Sequence, residues 1–179
     1  MEPDRLIREA GNGRIRLRRA DITTLTVDVI VNAANASLAG GGGVDGAVHR
    51  AAGPGLMREL NQRYDGCPTG SAVITGAGRL PARHVIHTVG PRWRDGDHGE
   101  PELLASAYRS AFALASEHSC STVAAPSIST GIYGFPIELA AQIAIGEAAQ
   151  ALADPHTSLR EITFALFSDA DLEVFARVL

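Results

Sequence analysis

Along the chain, short apolar runs alternate with longer segments in which apolar and polar residues recur at helical spacing. Arg14-Ile15-Arg16-Leu17-Arg18 alternates charged and apolar residues, the period-two pattern of a half-exposed strand near a sheet edge. The runs at 27–31, 72–75, 85–89, 123–125 and 162–167 are mostly apolar, as expected of strands covered on both faces. Between them the pattern predicts helices over about 46–52, 56–64, 101–118, 136–152 and 170–179. The clearest is 101–118, with Leu103, Leu104, Ala107, Ala111 and Leu114 on one face. Pro101 and Pro136 stand where a first helical turn tolerates proline. Strands alternating with helices imply an α/β fold, a three-layer α/β/α sandwich on a mixed, mostly parallel sheet of about six strands. With 179 residues the chain is expected to form a single domain over 1–179 and to bury a continuous core.

Directly after the apolar run at 27–31 comes a polar, glycine-rich stretch, 32–49. It holds four consecutive glycines, Gly40 to Gly43, with Asn35 before them and Asp45 and His49 after. Such a loop loses much chain entropy on folding, but its backbone approaches a ligand without a Cβ in the way. Its amides, with the N-terminus of a helix starting near Val44-Asp45-Gly46, suit a phosphate or diphosphate. Ligands in open α/β sheets bind at the carboxyl ends of strands, where this loop falls. A second glycine-containing loop, Ser129-Thr130-Gly131-Ile132-Tyr133-Gly134, lies between the strand ending near Ala125 and the helix expected at Pro136. Two such loops across a cleft suit a diphosphate better than one phosphate.

The letters at 41–46 also match G-x-G-x-x-G, but a dinucleotide fold needs its glycines straight after the strand and an acidic strand end about twenty residues on. Neither condition holds, and no Gly-Lys-Ser/Thr of a P-loop follows. A helix from Asp45 places residues 45 and 49 one turn apart on one face. The alternative for Asp45 is a plain N-cap. His84 and His87 are three apart in a strand, so they point to opposite faces and make no metal pair. Cys120 beside His118 resembles a nucleophile, yet buried filler is the commoner role of such a cysteine.

The net charge of −4 speaks against a general nucleic-acid binder, though local basic patches stay open. Two cysteines, Cys67 and Cys120, fit neither a disulfide framework nor a zinc site and suggest a reducing compartment. The N-terminal stretch shows no apolar leader, and no run of about eighteen apolar residues occurs. A soluble cytoplasmic protein with no membrane partner is expected.

Taken whole, 32–49 resembles the macrodomain family, and in particular the MacroD-type ADP-ribosyl hydrolases. It shares the run Asn-Ala-Ala-Asn, the four glycines, Val-Asp-Gly and the histidine. The resemblance extends to Asp21-Ile22-Thr23, to 80–91 and to 126–136, and covers the chain from about residue 14 onward. It implies an ADP-ribose cleft with two loops over the diphosphate and no metal or organic cofactor. The implied activity removes mono-ADP-ribose from glutamate and aspartate side chains of modified proteins and deacetylates O-acetyl-ADP-ribose.

By the same resemblance, Asp21, beside Ile22, accepts a hydrogen bond from the adenine amine; the alternative is a cap on the turn at 22–24. Phe167 stacks on adenine, or is a core residue. Gly41, Gly42, Gly43 and Val44 on one side, and Ser129, Thr130, Gly131, Ile132 and Tyr133 on the other, enclose the diphosphate and distal ribose. Asn35 and Asp45 hold that ribose and a water, and His49 supports the loop or Asp45. A carboxylate at a helix N-terminus is stabilised as the anion, so orienting the water against the substrate's diphosphate suits Asp45 better than acting as base. The chain departs from the family pattern at Ala20, where glycine commonly stands, and at Val73, where many relatives carry lysine. Trp93, flanked by Arg92 and Arg94, lies on a loop that could meet a protein substrate or simply face solvent. A non-catalytic reader of ADP-ribose and a nucleotide- or RNA-binding protein are the rival readings. Nucleic-acid ends bearing ADP-ribose stay open as substrates.

Overall fold

Apolar strands need cover on both faces, and five helices supply it. The computed structural model describes residues 6–179; residues 1–5, where the N-terminal stretch read as leaderless begins, lie outside the described residues. Seven strands, β1 (Ile7–Ala10), β2 (Gly13–Arg19), β3 (Val27–Ala33), β4 (Ala72–Gly76), β5 (Ala82–Thr88), β6 (Thr122–Ala125) and β7 (Glu161–Leu166), form one sheet in the order β1-β2-β7-β6-β3-β5-β4. The edge strands β1 and β4 pair antiparallel with their neighbours and all other pairs are parallel. The sheet is therefore mixed and mostly parallel, as expected, but with one strand more than the expected six. The extra one, β1, is only four residues long and half-exposed, too short to show a period. It joins β2 through a two-residue turn at Gly11-Asn12, where Gly11 takes φ +54°.

The helices are α1 (Gly43–Ala52), α2 (Gly55–Arg63), α3 (Glu100–Glu117), α4 (Ile137–Ala153) and α5 (Asp169–Val178). The main difference from expectation is α1, which begins at Gly43 rather than 46, with Gly42 as its N-cap. Pro101 sits in the first turn of α3, whereas Pro136 is the residue just before α4.

On one face α3, α4 and α5 bury Leu104, Tyr108, Phe112, Ala144 and Phe175 against Val29, Val31, Ile86 and Phe164. On the other, α1 and α2 bury Val48, Ala52 and Leu56 against Ile30, Val85 and Ala124. Each fully buried valine, leucine, isoleucine or phenylalanine among them contributes roughly 1.5–3 kcal/mol by leaving water. These two layers fix where α1 starts over the end of β3. Among the described residues no helix is long and apolar enough to cross a membrane.

Candidate active site

The strands β3, β6 and β7 lie in the middle of the sheet, with β6 between the other two, so their carboxyl ends are neighbours. The segments that leave them frame a cleft of about 1050 Å³. Of the residues singled out from the sequence, Asp21, Ile22, Gly43, Val44, Thr130, Gly131 and Phe167 line it. Asn35, Gly41 and Gly42 belong to the glycine loop, Asp45 to the first turn of α1 and His49 to its last, and Ser129, Ile132 and Tyr133 to the second loop. The wall also includes Arg19, Arg50, Ser127 and Asp171, none of them singled out from the sequence. Arg19 pairs with Asp169 at 3.0 Å. Arg50 follows from helix geometry, one turn after Gly46, whereas Arg19 and Asp171 come from opposite ends of the chain and carry no local signal.

The glycine loop is knitted by one side chain. Asn35 Oδ1 accepts from Ser37 Oγ at 3.0 Å and from the Ala39 amide at 3.1 Å, and Asn35 Nδ2 donates to the Gly40 carbonyl at 2.9 Å. Leu38 is held at φ +56° with its side chain buried between Leu60 and Cys67. Two glycines are structurally required. Gly43 has φ +57° at the first helical position, and a Cβ on Gly46 would lie 2.6 Å from the Gly41 carbonyl oxygen. The loop thus folds back onto the first turn of α1.

That turn carries Asp45, which is not the cap: the residue is 6 % exposed and its side chain is buried. Oδ1 accepts a hydrogen bond from Asn32 Nδ2 at 2.8 Å, and His49 Nε2 stands 3.3 Å from the same oxygen. So residues 45 and 49 do share a face. No hydrogen bond from the described residues reaches Oδ2. A Cβ built on Gly41 would lie 3.5 Å from Asp45 Oδ2 and 3.9 Å from Asn35 Nδ2. The unclaimed carboxylate oxygen and the amide of Asn35 therefore flank one small space above Gly41.

Beneath Asp45 lies a buried polar row that sequence reasoning missed. Asn32 on β3 and His87 on β5 are register partners, and both are fully buried on the face that α1 covers. Asn32 Nδ2 lies 3.2 Å from His87 Nδ1, and His87 Nε2 lies 3.0 Å from Thr75 Oγ1 on β4. Burial, and then the nearby His49, push His87 down to about 3. Its apolar surroundings in sequence made it look like part of a strand core. His84 points to the other face, edge-on to His118 at 5.7 Å between ring centroids, which agrees with the opposite-face reading of the pair.

The second loop is anchored from below by Tyr108, whose hydroxyl donates to the Pro126 carbonyl at 2.7 Å and accepts from the Ile128 amide at 2.9 Å. Thr130 Oγ1 lies 2.8 Å from Ser127 Oγ, and the Phe135 amide donates to the Ser129 carbonyl at 2.9 Å. Ser129 sits at φ +68° with its hydroxyl buried. The Trp93 amide donates to the Tyr133 carbonyl at 2.8 Å, and the Arg92 guanidinium stacks on the Tyr133 ring at 4.6 Å. The 91–99 loop is thus tied to the cleft.

Within that loop, Asp95, His98 and Glu100 gather as a metal-binding trio would. However, Glu100 Oε2 accepts the amides of Arg94, Asp95 and Gly96, and Oε1 that of His98. Burial raises this carboxyl, and the backbone donors outweigh it and draw it down to about 2. Glu100 is a staple for its own loop.

At the far end of the cleft, Asp21 Oδ1 accepts from the Thr23 amide at 2.9 Å and from Thr23 Oγ1 at 2.7 Å, capping the single 3₁₀ turn Ile22–Thr24. No hydrogen bond from the described residues reaches its Oδ2. Phe167 follows the end of β7 and is 90 % exposed, which removes the core reading. Phe167 and Ile132 are the exposed large apolar side chains among the described residues. Cys67 and Cys120 are buried, and burial raises both thiols, so the filler reading of Cys120 holds.

Comparison with known proteins gives one picture. The chain is 58% identical over 94% of its length, and 96% of the relative's, to a macro domain-containing protein of Chlorobaculum tepidum. It is 51% identical to a Citrobacter koseri protein named O-acetyl-ADP-ribose deacetylase, over 93% of this chain and 95% of that one. Among solved structures, the Oceanobacillus iheyensis macrodomain with ADP superposes with a TM-score of 0.89 at 40% identity, covering 96% of this chain and 93% of that one. The Trypanosoma brucei macrodomain in complex with ADP-ribose gives a TM-score of 0.84 at 41% identity, covering 91% and 68%. The Macro domain model matches residues 31–144, from the end of β3 through the first half of α4, and with it the chain belongs to the Macro domain family.

Proposed function

We propose that the protein binds ADP-ribose in this cleft and hydrolyses esters on its distal ribose. The substrates are mono-ADP-ribose on glutamate and aspartate side chains of modified proteins, and O-acetyl-ADP-ribose. The observation that carries this reading is the arrangement at Asp45: a buried carboxylate with one oxygen fixed by Asn32 and His49 and the other unclaimed beside Asn35. A protein that only held ADP-ribose would need the two loops and not a buried carboxylate aimed between them. Names carried by close relatives and the ligands in the superposed macrodomains support the same ligand class.

In this reading the diphosphate lies between the glycine loop and the 129–134 loop, over the N-terminus of α1. Phe167 covers adenine, and Oδ2 of Asp21 accepts from its amine. The distal ribose then reaches the space over Gly41. Water attacks the ester carbonyl or the anomeric carbon, the bond to the ester oxygen breaks, and a carboxylic acid and ADP-ribose leave. Asp45 Oδ2 orients that water, and a diphosphate oxygen of the substrate accepts its proton.

The test is turnover at excess substrate with a glutamate-linked ADP-ribosyl protein, against arginine- and serine-linked ones and O-acetyl-ADP-ribose. Multiple turnovers on the two esters and none on the arginine linkage are expected. Stoichiometric capture without product would assign a reader instead. A separate expectation concerns Phe167→Ala. Losing one base-stacking ring weakens binding by roughly 1–3 kcal/mol, or about 5- to 150-fold in Kd. Thermal stability should not change, since the ring is 90 % exposed, and calorimetric titration with ADP-ribose beside a melting curve checks both.

A further inference from the structure

The buried row under Asp45 has a direction that chemistry alone sets. An ionised carboxylate only accepts, so the Asn32 atom 2.8 Å from Asp45 Oδ1 must be the amide nitrogen. That same nitrogen lies 3.2 Å from His87 Nδ1 and there too can only donate. His87 Nδ1 must then be bare, and the neutral ring carries its hydrogen on Nε2, 3.0 Å from Thr75 Oγ1. Thr75 in turn donates to the Gly76 carbonyl at 2.8 Å. The hydrogens thus run outward from Asn32, one way to Asp45 and the other way through His87 and Thr75 to the Gly76 carbonyl. Both hydrogens of the Asn32 amide are committed, one to Asp45 and one to His87.

Were Nδ1 to carry the hydrogen, Asn32 would have to turn its amide over and present Oδ1 to His87. The same turn would set Oδ1 against the carboxylate oxygen of Asp45. The arrangement also leaves Asn32 Oδ1 buried with no partner, an unsatisfied acceptor that an apolar residue at this place in the sheet would avoid. A chain of three buried polar side chains from three strands, ending on one carboxylate, is not what packing alone selects.

We propose that His87 is a positioning residue: through its bare Nδ1 it holds the Asn32 amide so that Asn32 fixes Asp45 Oδ1 and leaves Oδ2 directed at the space over Gly41. The inference rests on the hydrolase reading above and adds a residue that touches neither substrate nor water. Its role is to keep the acceptor geometry of Asp45 constant while ADP-ribose enters and leaves. Around metal ligands, losing a partner that orients the ligand lowers affinity or activity by roughly 10- to 100-fold, and a loss on that scale is expected here.

Two variants and one spectrum test it. His87→Phe keeps a planar ring, somewhat larger than imidazole, and offers Asn32 no acceptor; His87→Asn places a carbonyl oxygen where Nδ1 stood. His87→Phe should lower kcat on the glutamate ester by about 10-fold or more with the Kd for ADP-ribose within about 3-fold, and His87→Asn should regain most of that loss. Equal kcat in all three proteins, equal loss in both variants, or a fall in affinity that tracks the fall in kcat would overturn the role. The wild-type protein, labelled with ¹⁵N-histidine, should show His87 as the neutral Nε2–H tautomer at pH 6, without and with ADP-ribose. An Nδ1–H or doubly protonated ring would overturn it whether or not the variants fold. A wild-type protein that binds ADP-ribose yet turns over no ester defeats the hydrolase reading alone, and the spectrum still decides whether His87 holds Asn32 against Asp45.

Discussion

Asp45→Ala is expected to lower release of ADP-ribose from a glutamate-linked protein by roughly 10²–10³-fold, the scale on which removing one preorganised polar group from a reacting centre acts. ADP-ribose binding, measured by calorimetry, should persist. The contacts that would hold the nucleotide come from elsewhere: the amides of the two loops, Asp21 at the 3₁₀ turn and the ring of Phe167. The group lost is the one with an unclaimed oxygen beside Asn35. Because Asp45→Ala also strands the amide of Asn32, 2.8 Å from the lost carboxylate, Asp45→Asn is the stricter companion. It keeps the size and removes the charge, and the same loss of turnover with binding retained is expected. Turnover equal to wild type in both would sink the assignment of Asp45.

The second large effect is on stability in acid. His87 is buried, its ordinary value of 6.5 falling to about 3, chiefly through burial and then through His49. Below pH 6.5 the unfolded chain takes up a proton that the folded protein refuses, so protons favour unfolding. The sign follows from the lowered folded value. His87 contributes nothing to the pH dependence above 6.5, and as pH falls it destabilises the fold by up to roughly 1.4 kcal/mol per unit until about pH 3. At pH 4.5 that amounts to about 3 kcal/mol, a large share of a typical domain stability of roughly 5–15 kcal/mol. Urea unfolding of wild type and His87→Phe at pH 7 and pH 4.5 checks it. Wild type should lose more between the two values, by about that amount, because every other group titrates in both. Parallel losses would show that His87 takes up its proton in the folded state.

Much of this architecture is legible in the residues. The mostly apolar runs mark five of the strands and the covered sheet, because burial on both faces leaves few polar positions along each of them. The two loops could be read because glycine runs and polar turns are local signals. What escaped was set by contacts distant in sequence. The strand Ile7–Ala10 is too short to carry a pattern and exists because it pairs with β2. His87 looked like a histidine inside an apolar strand, and only the register with Asn32 shows what it serves. Phe167 could not be told from a core residue until the end of β7 placed it outside. For Asp21 the two readings were not rivals, since one carboxylate oxygen caps the turn and the other stays available.

Among the described residues the last strand, β7, lies between β2 and β6 and is what links them across the sheet. The first two strands therefore have no place to dock until residues 161–166 have been made. Asp21, from the start of the chain, and Phe167, from its end, come to the same cleft only through that insertion. Pairing so far apart along the sequence is slow, since loop closure precedes its reward. During synthesis the Asp21–Phe167 end of the cleft is thus the last part to exist, and possession of a complete cleft reports that the whole sheet has closed.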